Sequence, residues 1–280
     1  MLCDAHFHLV QCFPQGEQEL LASPDLDMAY ACCCAHSPQE FYVQQELIAA
    51  ARRAGHPCRY VPAFGMHPQA ADELLPVREY TDFLETLLRE HRIMAVGETG
   101  IDLYTEEFRS RLVFQQQVWY IQLELAGTAG VPVVIHCRKA LDYMFRDAGL
   151  LKKIPAVVFH SFIGSPQEAL SLLRRGINAY FSFGKPLLNN NKRARLCTQT
   201  LPADRLLLET DSPYQTLKGE LRTDPREIRR VYDEACRLRR MELPALQSTV
   251  AENFRAAFMS GMHVPGATDP ARPKIAGAMK

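Results

Sequence analysis

Two histidines stand one residue apart near the start of the chain, in Asp4-Ala-His-Phe-His8. Side chains alternate along an extended strand with a period of two, so His6 and His8 face one side and can converge on one ion. More imidazoles and carboxylates recur downstream: His67, Glu98, His136, His160 and Asp211. Each comes where a short apolar run ends. Nitrogen and oxygen donors without thiolates suit zinc, manganese or magnesium rather than thiolate-loving metals. The set is larger than one closed tetrahedral site needs. Two or more ions bridged by a carboxylate and a water would use it, with His6, His8 and Asp211 on the first, His136 and His160 on the second, and Glu98 between them. Such a pair, about 3.5–4 Å apart, activates a water and clamps a phosphoryl or carbonyl oxygen. Asp211 ends the last strand, where it can touch both an ion and the water, and is the expected general base.

These residues need a frame that brings separate strand ends to one place. The chain supplies eight apolar runs: one within residues 1–10, then 28–35, 59–66, 92–97, 131–135, 156–159, 177–183 and 205–209. Helical segments alternate with them at 40–53, 77–91, 106–129, 138–152, 166–175, 187–200, 224–239 and 243–259, and residues 14–27 read as a loop with a short helical piece. Repeated strand-then-helix units predict an α/β fold with a parallel sheet, and eight units predict a single (β/α)8 TIM barrel. The strands show little alternation, as strands covered on both faces should. In such a barrel the strand ends open on one face, which carries the active site. The barrel is expected over residues 1–260, followed by a flexible tail, 261–280, without periodicity.

Composition narrows the function further. Lys plus Arg equals Asp plus Glu at 32 each in 280 residues, so no global basic field announces nucleic acid. A local phosphate site is compatible with that balance, because net charge governs long-range steering. No run approaches the roughly 20 apolar residues of a membrane span, and the N-terminus shows no secretory pattern. The nine cysteines include Cys32-Cys33-Cys34 but no Cys-x-x-Cys pair, which argues against a zinc ribbon. They read as small buried residues of a cytoplasmic protein. Cys137 stands out because it follows His136.

Six segments resemble the TatD family of metal-dependent deoxyribonucleases, within the amidohydrolase-like TIM barrels. They are Asp4-Ala-His-Phe-His-Leu9, Gly65-Met-His-Pro68, Val96-Gly-Glu-Thr-Gly-Ile-Asp102, Val134-Ile-His-Cys-Arg138, Val158-Phe-His-Ser-Phe162 and Leu208-Glu-Thr-Asp-Ser-Pro-Tyr214. Their order matches, and the resemblance spans residues 1 to about 258. It implies a centre of two or three divalent ions (Mg, Mn or Zn) and phosphodiesterase activity on DNA, often exonucleolytic. It gives metal roles to His6, His8, Glu98, His136, His160 and Asp211, and places His67 near the substrate phosphate, where it would stabilise charge or protonate the leaving group. Two departures stand out. The family's Arg-Gly-x-x-Asn-x-Pro is replaced by Lys218-Gly-Glu-Leu-Arg-Thr-Asp-Pro225, without the Asn, and Cys137 stands where Ser is commoner.

On the substrate side, Arg138 follows a ligand by two residues and carries a fork suited to phosphate. Lys185, after Gly184, is a second cationic candidate. Tyr104 and Tyr214 flank ligand-bearing loops and offer faces for a base. The arginines between 226 and 240 fall at helical spacing and read as a solvated face. The expected substrate is DNA with single-stranded or frayed ends, and the tail is a candidate surface for protein partners. Two rivals stand beside this reading. One is an amide, ester or lactone hydrolase on the same barrel, disfavoured because Glu98 holds the place where such barrels often carry a carboxylated lysine. The other is a TatD-like subunit of a DNA-processing or defence assembly.

Overall fold

The computed structural model describes residues 1–23, 27–72 and 74–260. The tail at 261–280, with its expected part in protein contacts, lies outside the described residues. Eight strands follow in order: β1 (Leu2–Phe7), β2 (Met28–Ala35), β3 (Arg59–Phe64), β4 (Ala95–Asp102), β5 (Val133–Arg138), β6 (Val157–Phe159), β7 (Ala179–Phe183) and β8 (Leu206–Leu208). Each pairs in parallel with the next, so sequence order and spatial order coincide. β1, β4, β6, β7 and β8 are buried at every position, which explains their lack of apolar–polar alternation, with the polar residues of β1 and β4 buried as well. Helices wrap the outside of this TIM-type barrel. Helix Pro38–Arg53 starts at Ser37, whose hydroxyl accepts from Glu40 N–H. Helix Pro166–Arg174 starts in a capping box of Ser165 and Glu168. Among the described residues, no helix is long and apolar enough to cross a membrane.

The barrel closes just beyond β8. Asp211 N–H donates to His6 O at 2.9 Å, and His8 N–H donates to Ser212 O at 2.8 Å. Asp4 lies fully buried beneath this seam and accepts from Thr210 N–H at 3.0 Å and Thr210 Oγ1–H at 2.6 Å. Burial pushes the Asp4 carboxyl up to about 7, against the pull of those hydrogen bonds. Asp4→Ala would leave buried donors without an acceptor, each costing about 1–3 kcal/mol. That variant should unfold at clearly lower denaturant than wild type, and Asp4→Asn, which keeps an acceptor, should lose far less. Equal losses in the two variants would show that the acceptor role is unimportant.

The structure departs from the sequence expectation in several places, among them the helix expected over 187–200, which spans only Lys192–Thr200. The segment 106–129 is two helices, Glu106–Ser110 and Leu112–Ala129, broken at Arg111. Gln115 spans the break: its amide donates to Phe108 O at 2.7 Å and accepts from Asp102 N–H at 2.8 Å, tying the second helix to the end of β4. The segment 138–152 begins as strand and continues as two short helices, Leu141–Arg146 and Ala148–Leu151. They part at Asp147, whose carboxylate accepts from Trp119 Nε1–H at 3.0 Å and from Arg146. β4 runs on past Glu98 to Asp102, so Glu98 projects from mid-strand rather than from a strand end. Glycine makes this possible. A Cβ on Gly97 would sit 2.7 Å from Val134 Cβ, and one on Gly100, where φ is +142°, 2.0 Å from His136 O. β4 therefore presses directly onto β5, which sets Glu98 against His136.

Candidate metal centre

Glu98 is the hub. Its Oε1 lies 3.2 Å from His6 Nε2, 3.4 Å from His8 Nε2 and 3.2 Å from His36 Nε2. Its Oε2 lies 2.8 Å from His160 Nε2, 3.4 Å from His67 Nε2 and 3.4 Å from His136 Nδ1. Asp211 Oδ1 completes one side, 3.3 Å from His6 Nε2 and 3.4 Å from His8 Nε2. On the other side His136 Nδ1 stands 3.3 Å from His67 Nε2 and 3.2 Å from His160 Nε2. Facing imidazole nitrogens cannot all be donors to one another. Two donors each about 2.1 Å from one ion, by contrast, stand about 3.0–3.4 Å apart. His6 Nε2 is buried and makes no hydrogen bond, as a nitrogen reserved for a cation should be. His6, His8 and Asp211 form one set of converging ligand atoms, and His67, Glu98 and His136 another, while His6, Glu98 and His160 link them. The donor set therefore fits divalent ions held on either side of Glu98.

Outer partners fix the ring orientations. Asp102 Oδ2 lies 2.9 Å from His136 Nε2, and an ionised carboxylate only accepts, so that nitrogen carries the proton and Nδ1 is left as the lone pair facing Glu98. Burial works to raise the Asp102 carboxyl, but the hydrogen bonds from His136, Gln69 and Tyr104 N–H outweigh it and hold it at about 2. The Cys34 thiol lies 3.4 Å from His6 Nδ1. Asp211 Oδ2 accepts from Gln215 Nε2–H at 2.8 Å, which turns Oδ1 toward the histidines. Burial would raise Glu98 and Asp211, yet the adjacent histidines hold both far below the usual carboxylate range. Burial and His6 depress His160, and Glu98 and Glu209 lift it to about 9. Burial holds His67 down at about 3 despite Glu98. Two buried anions thus draw positive charge into the cluster, which is the electrostatic requirement of a cation site.

The centre lies at the bottom of an open cavity of about 680 Å³. Arg138 and Tyr214 line its rim, together with Gln69 and Ile163. The Arg138 guanidinium lies 4.0 Å over the ring of Tyr104, and Lys139 Nζ lies 4.8 Å from the same ring. Tyr104 is half-exposed beside Arg138 and is not part of the cavity lining.

His6, His8, His67, Glu98, His136, His160 and Asp211 are brought together as the sequence suggested. Lys185 is a correction. It is fully buried, ion-paired with Glu220, 3.1 Å from Glu227 Oε2 and 3.1 Å from Thr223 Oγ1. The turn Lys185–Leu187 takes it beneath the segment after β8, so it anchors that segment instead of meeting substrate. The same segment carries the departure at 218–225. Lys185→Met would strand two carboxylates without their buried partner and should lower the thermal midpoint by several degrees with metal content unchanged. A drop in metal content at an unaltered midpoint would return Lys185 to the site. Two further residues escaped the sequence reading. His36 directly follows the end of β2 and obeys the strand-end rule that found the others. Asp102 lies within a quoted motif, but no spacing marks an outer-shell carboxylate.

Comparisons with known proteins bear on this arrangement. The profile of the family described as TatD related DNase matches residues 3–259. A Klebsiella pneumoniae protein named 3'-5' ssDNA/RNA exonuclease TatD is 31% identical over 227 residues, covering 78% of this chain and 83% of its own length. A Bacillus subtilis protein named uncharacterized metal-dependent hydrolase YabD is 29% identical over 204 residues, covering 70% of this chain and 76% of its own. Among solved structures, the Escherichia coli TatD homologue YjjV superposes with a TM-score of 0.75 at 23% identity over 92% of this chain and 98% of its own. An Entamoeba histolytica hydrolase of the TatD family does so at 0.77 and 18%, over 92% and 97%.

Proposed function

The chain belongs to the TatD-related DNase family of metal-dependent hydrolases, and from that premise we propose that it is a cytoplasmic exonuclease that hydrolyses phosphodiester bonds of single-stranded or frayed DNA. The observation that carries the reading is the convergence of six imidazoles on the two oxygens of Glu98 at the floor of a cavity rimmed by Arg138. His6, His8 and Asp211 would hold one divalent ion, His136 and His160 another, and Glu98 would bridge. Ions so held supply Lewis acidity, lowering the pKa of water and neutralising charge on phosphoryl oxygens.

The chain's own residues do the rest. Asp211 lines the cavity, and its Oδ2, which accepts one hydrogen bond from Gln215, keeps a second lone pair that would take a proton from the attacking water while Oδ1 faces His6 and His8. His67, only 14% exposed, accepts Gln69 N–H at Nδ1, so its neutral ring carries a proton on Nε2 that can hydrogen-bond the leaving oxygen and stabilise its charge. Arg138 would grip a neighbouring phosphate, and Tyr104, half-exposed beside Arg138 and Lys139, would stack with a base. The cavity is open at the top, which suits the end of a strand entering from solvent.

The test uses chelator-treated protein offered Mg, Mn or Zn in turn, with single- and double-stranded DNA labelled at either end. Stepwise shortening from one end that requires metal is the expected result and gives the polarity. Metal uptake without any shortening of nucleic acid, with turnover of a lactone or ester in the same preparation, would replace this reading by the small-molecule hydrolase.

A further inference from the structure

We propose that His36 is an additional nitrogen ligand of the metal centre, and that it biases the centre toward imidazole-loving ions such as zinc and away from magnesium. The inference rests on the metal-centre reading above and concerns one residue within it. His36 Nε2 is 3.2 Å from Glu98 Oε1, the separation also shown by His6 Nε2, and slightly closer than His8 Nε2 at 3.4 Å. Three imidazole nitrogens therefore address one carboxylate oxygen at distances that donors sharing an ion adopt. The His36 ring stands between those of His8 and His67, with centroids 5.1 Å from each.

Local structure holds His36 there. It follows Ala35, the last residue of β2, and its N–H donates to Glu40 Oε2 at 2.8 Å. Glu40 Oε1 in turn accepts from Gln11 Nε2–H at 2.6 Å, and Glu40 N–H is bound by Ser37 Oγ. The carboxylate of Glu40 thus serves as an anchor for the His36 backbone at the start of helix Pro38–Arg53. The ligand atoms of His8, His36 and Glu40 also lie within 4.8 Å of one another. His36 is the more exposed ring, at 23%, against 0% for His6 and 3% for His8, and it lines the cavity.

The consequence for metal choice follows from donor type. Magnesium takes oxygen donors and retains water, whereas zinc and cobalt bind imidazole well. With His36, the Oε1 side of Glu98 offers three imidazoles against the carboxylates of Glu98 and Asp211. Removing one nitrogen should weaken zinc and cobalt selectively.

The experiment strips the full-length protein with chelator and titrates it with Co2+, whose visible absorption reports coordination geometry and nitrogen donors. Zn2+ and Mg2+ affinities follow by competition, for wild type, His36→Ala and His36→Gln. Both variants are expected to bind Co2+ and Zn2+ at least about 10-fold more weakly, to bind Mg2+ as wild type does, and to show an altered Co2+ spectrum. A His36→Gln protein that matches wild type in spectrum and affinity would mean that His36 only hydrogen-bonds Glu98, and the proposal falls. Parallel weakening of Zn2+ and Mg2+ overturns it too. Wild type that takes up no Co2+ would instead overturn the metal-centre reading itself. The unfolding midpoints of the stripped proteins, expected to be equal, separate ligand loss from misfolding.

Discussion

Glu98→Gln should empty the metal centre while leaving the barrel standing. Both Glu98 oxygens face imidazole nitrogens, three on each side. Gln has the same volume, so packing in mid-β4 is kept. It removes the bridging charge and points an amide N–H2 at nitrogens whose lone pairs face inward. Loss of one Lewis-acid contact forfeits several kcal/mol of charge stabilisation, so turnover should fall by about a thousandfold or more. Metal analysis after exhaustive dialysis should show less metal per chain than wild type, with an unchanged far-UV spectrum. Full metal content in this variant would rule out Glu98 as the bridge.

Asp211→Asn is the second large effect, and the backbone dictates the choice of Asn. Asp211 sits at φ +54°, in the left-handed region that Asn tolerates and most side chains do not. Asn preserves the N–H donated to His6 O, and its amide can still meet Gln215 after that side chain rotates. What disappears is the negative charge beside His6 and His8 and the oxygen able to take a proton. Turnover should drop by about a thousandfold or more with KM much less affected, because the lost interaction belongs to the chemical step. The unfolding midpoint of the stripped protein should stay near the wild-type value. Wild-type turnover in Asp211→Asn would remove it from the role of base. Asp211→Ala would be a poorer probe, since strain at this φ adds a folding defect.

Much of this is legible in the sequence. The alternation of apolar runs with amphipathic segments specifies strand and helix order because the two elements bury residues at different periods. The candidate ligands are legible because imidazoles and carboxylates ending apolar runs have few other reasons to be there. Where reading failed, the cause was a contact that spacing does not encode. Lys185 follows a strand just as the ligands do, but a tight turn carries it under Glu220 and Thr223. Asp102 is one carboxylate among many until β4 is seen to continue past Glu98 and meet His136 Nε2. The break at Arg111 depends on the Gln115 amide reaching back to Phe108 O, which helix propensity cannot anticipate. His36 is different: it follows β2 and obeys the strand-end rule, but only its contact with Glu98 Oε1 separates it from an ordinary loop histidine.

The seam under Asp4 also sets a timetable. Its hydrogen bonds join positions separated by 206 residues, the first strand and the turn after the last. A chain still emerging from a ribosome holds His6 and His8 long before it holds Thr210 and Asp211. The first strand must therefore wait, with its apolar flank covered only by β2, until synthesis delivers its other neighbour. The same closing event that seals the barrel brings Asp211 to His6 and His8. A chain stopped short of the last strand carries every candidate ligand except Asp211 and no closed ring to orient them, so the candidate metal set is completed only with that closure.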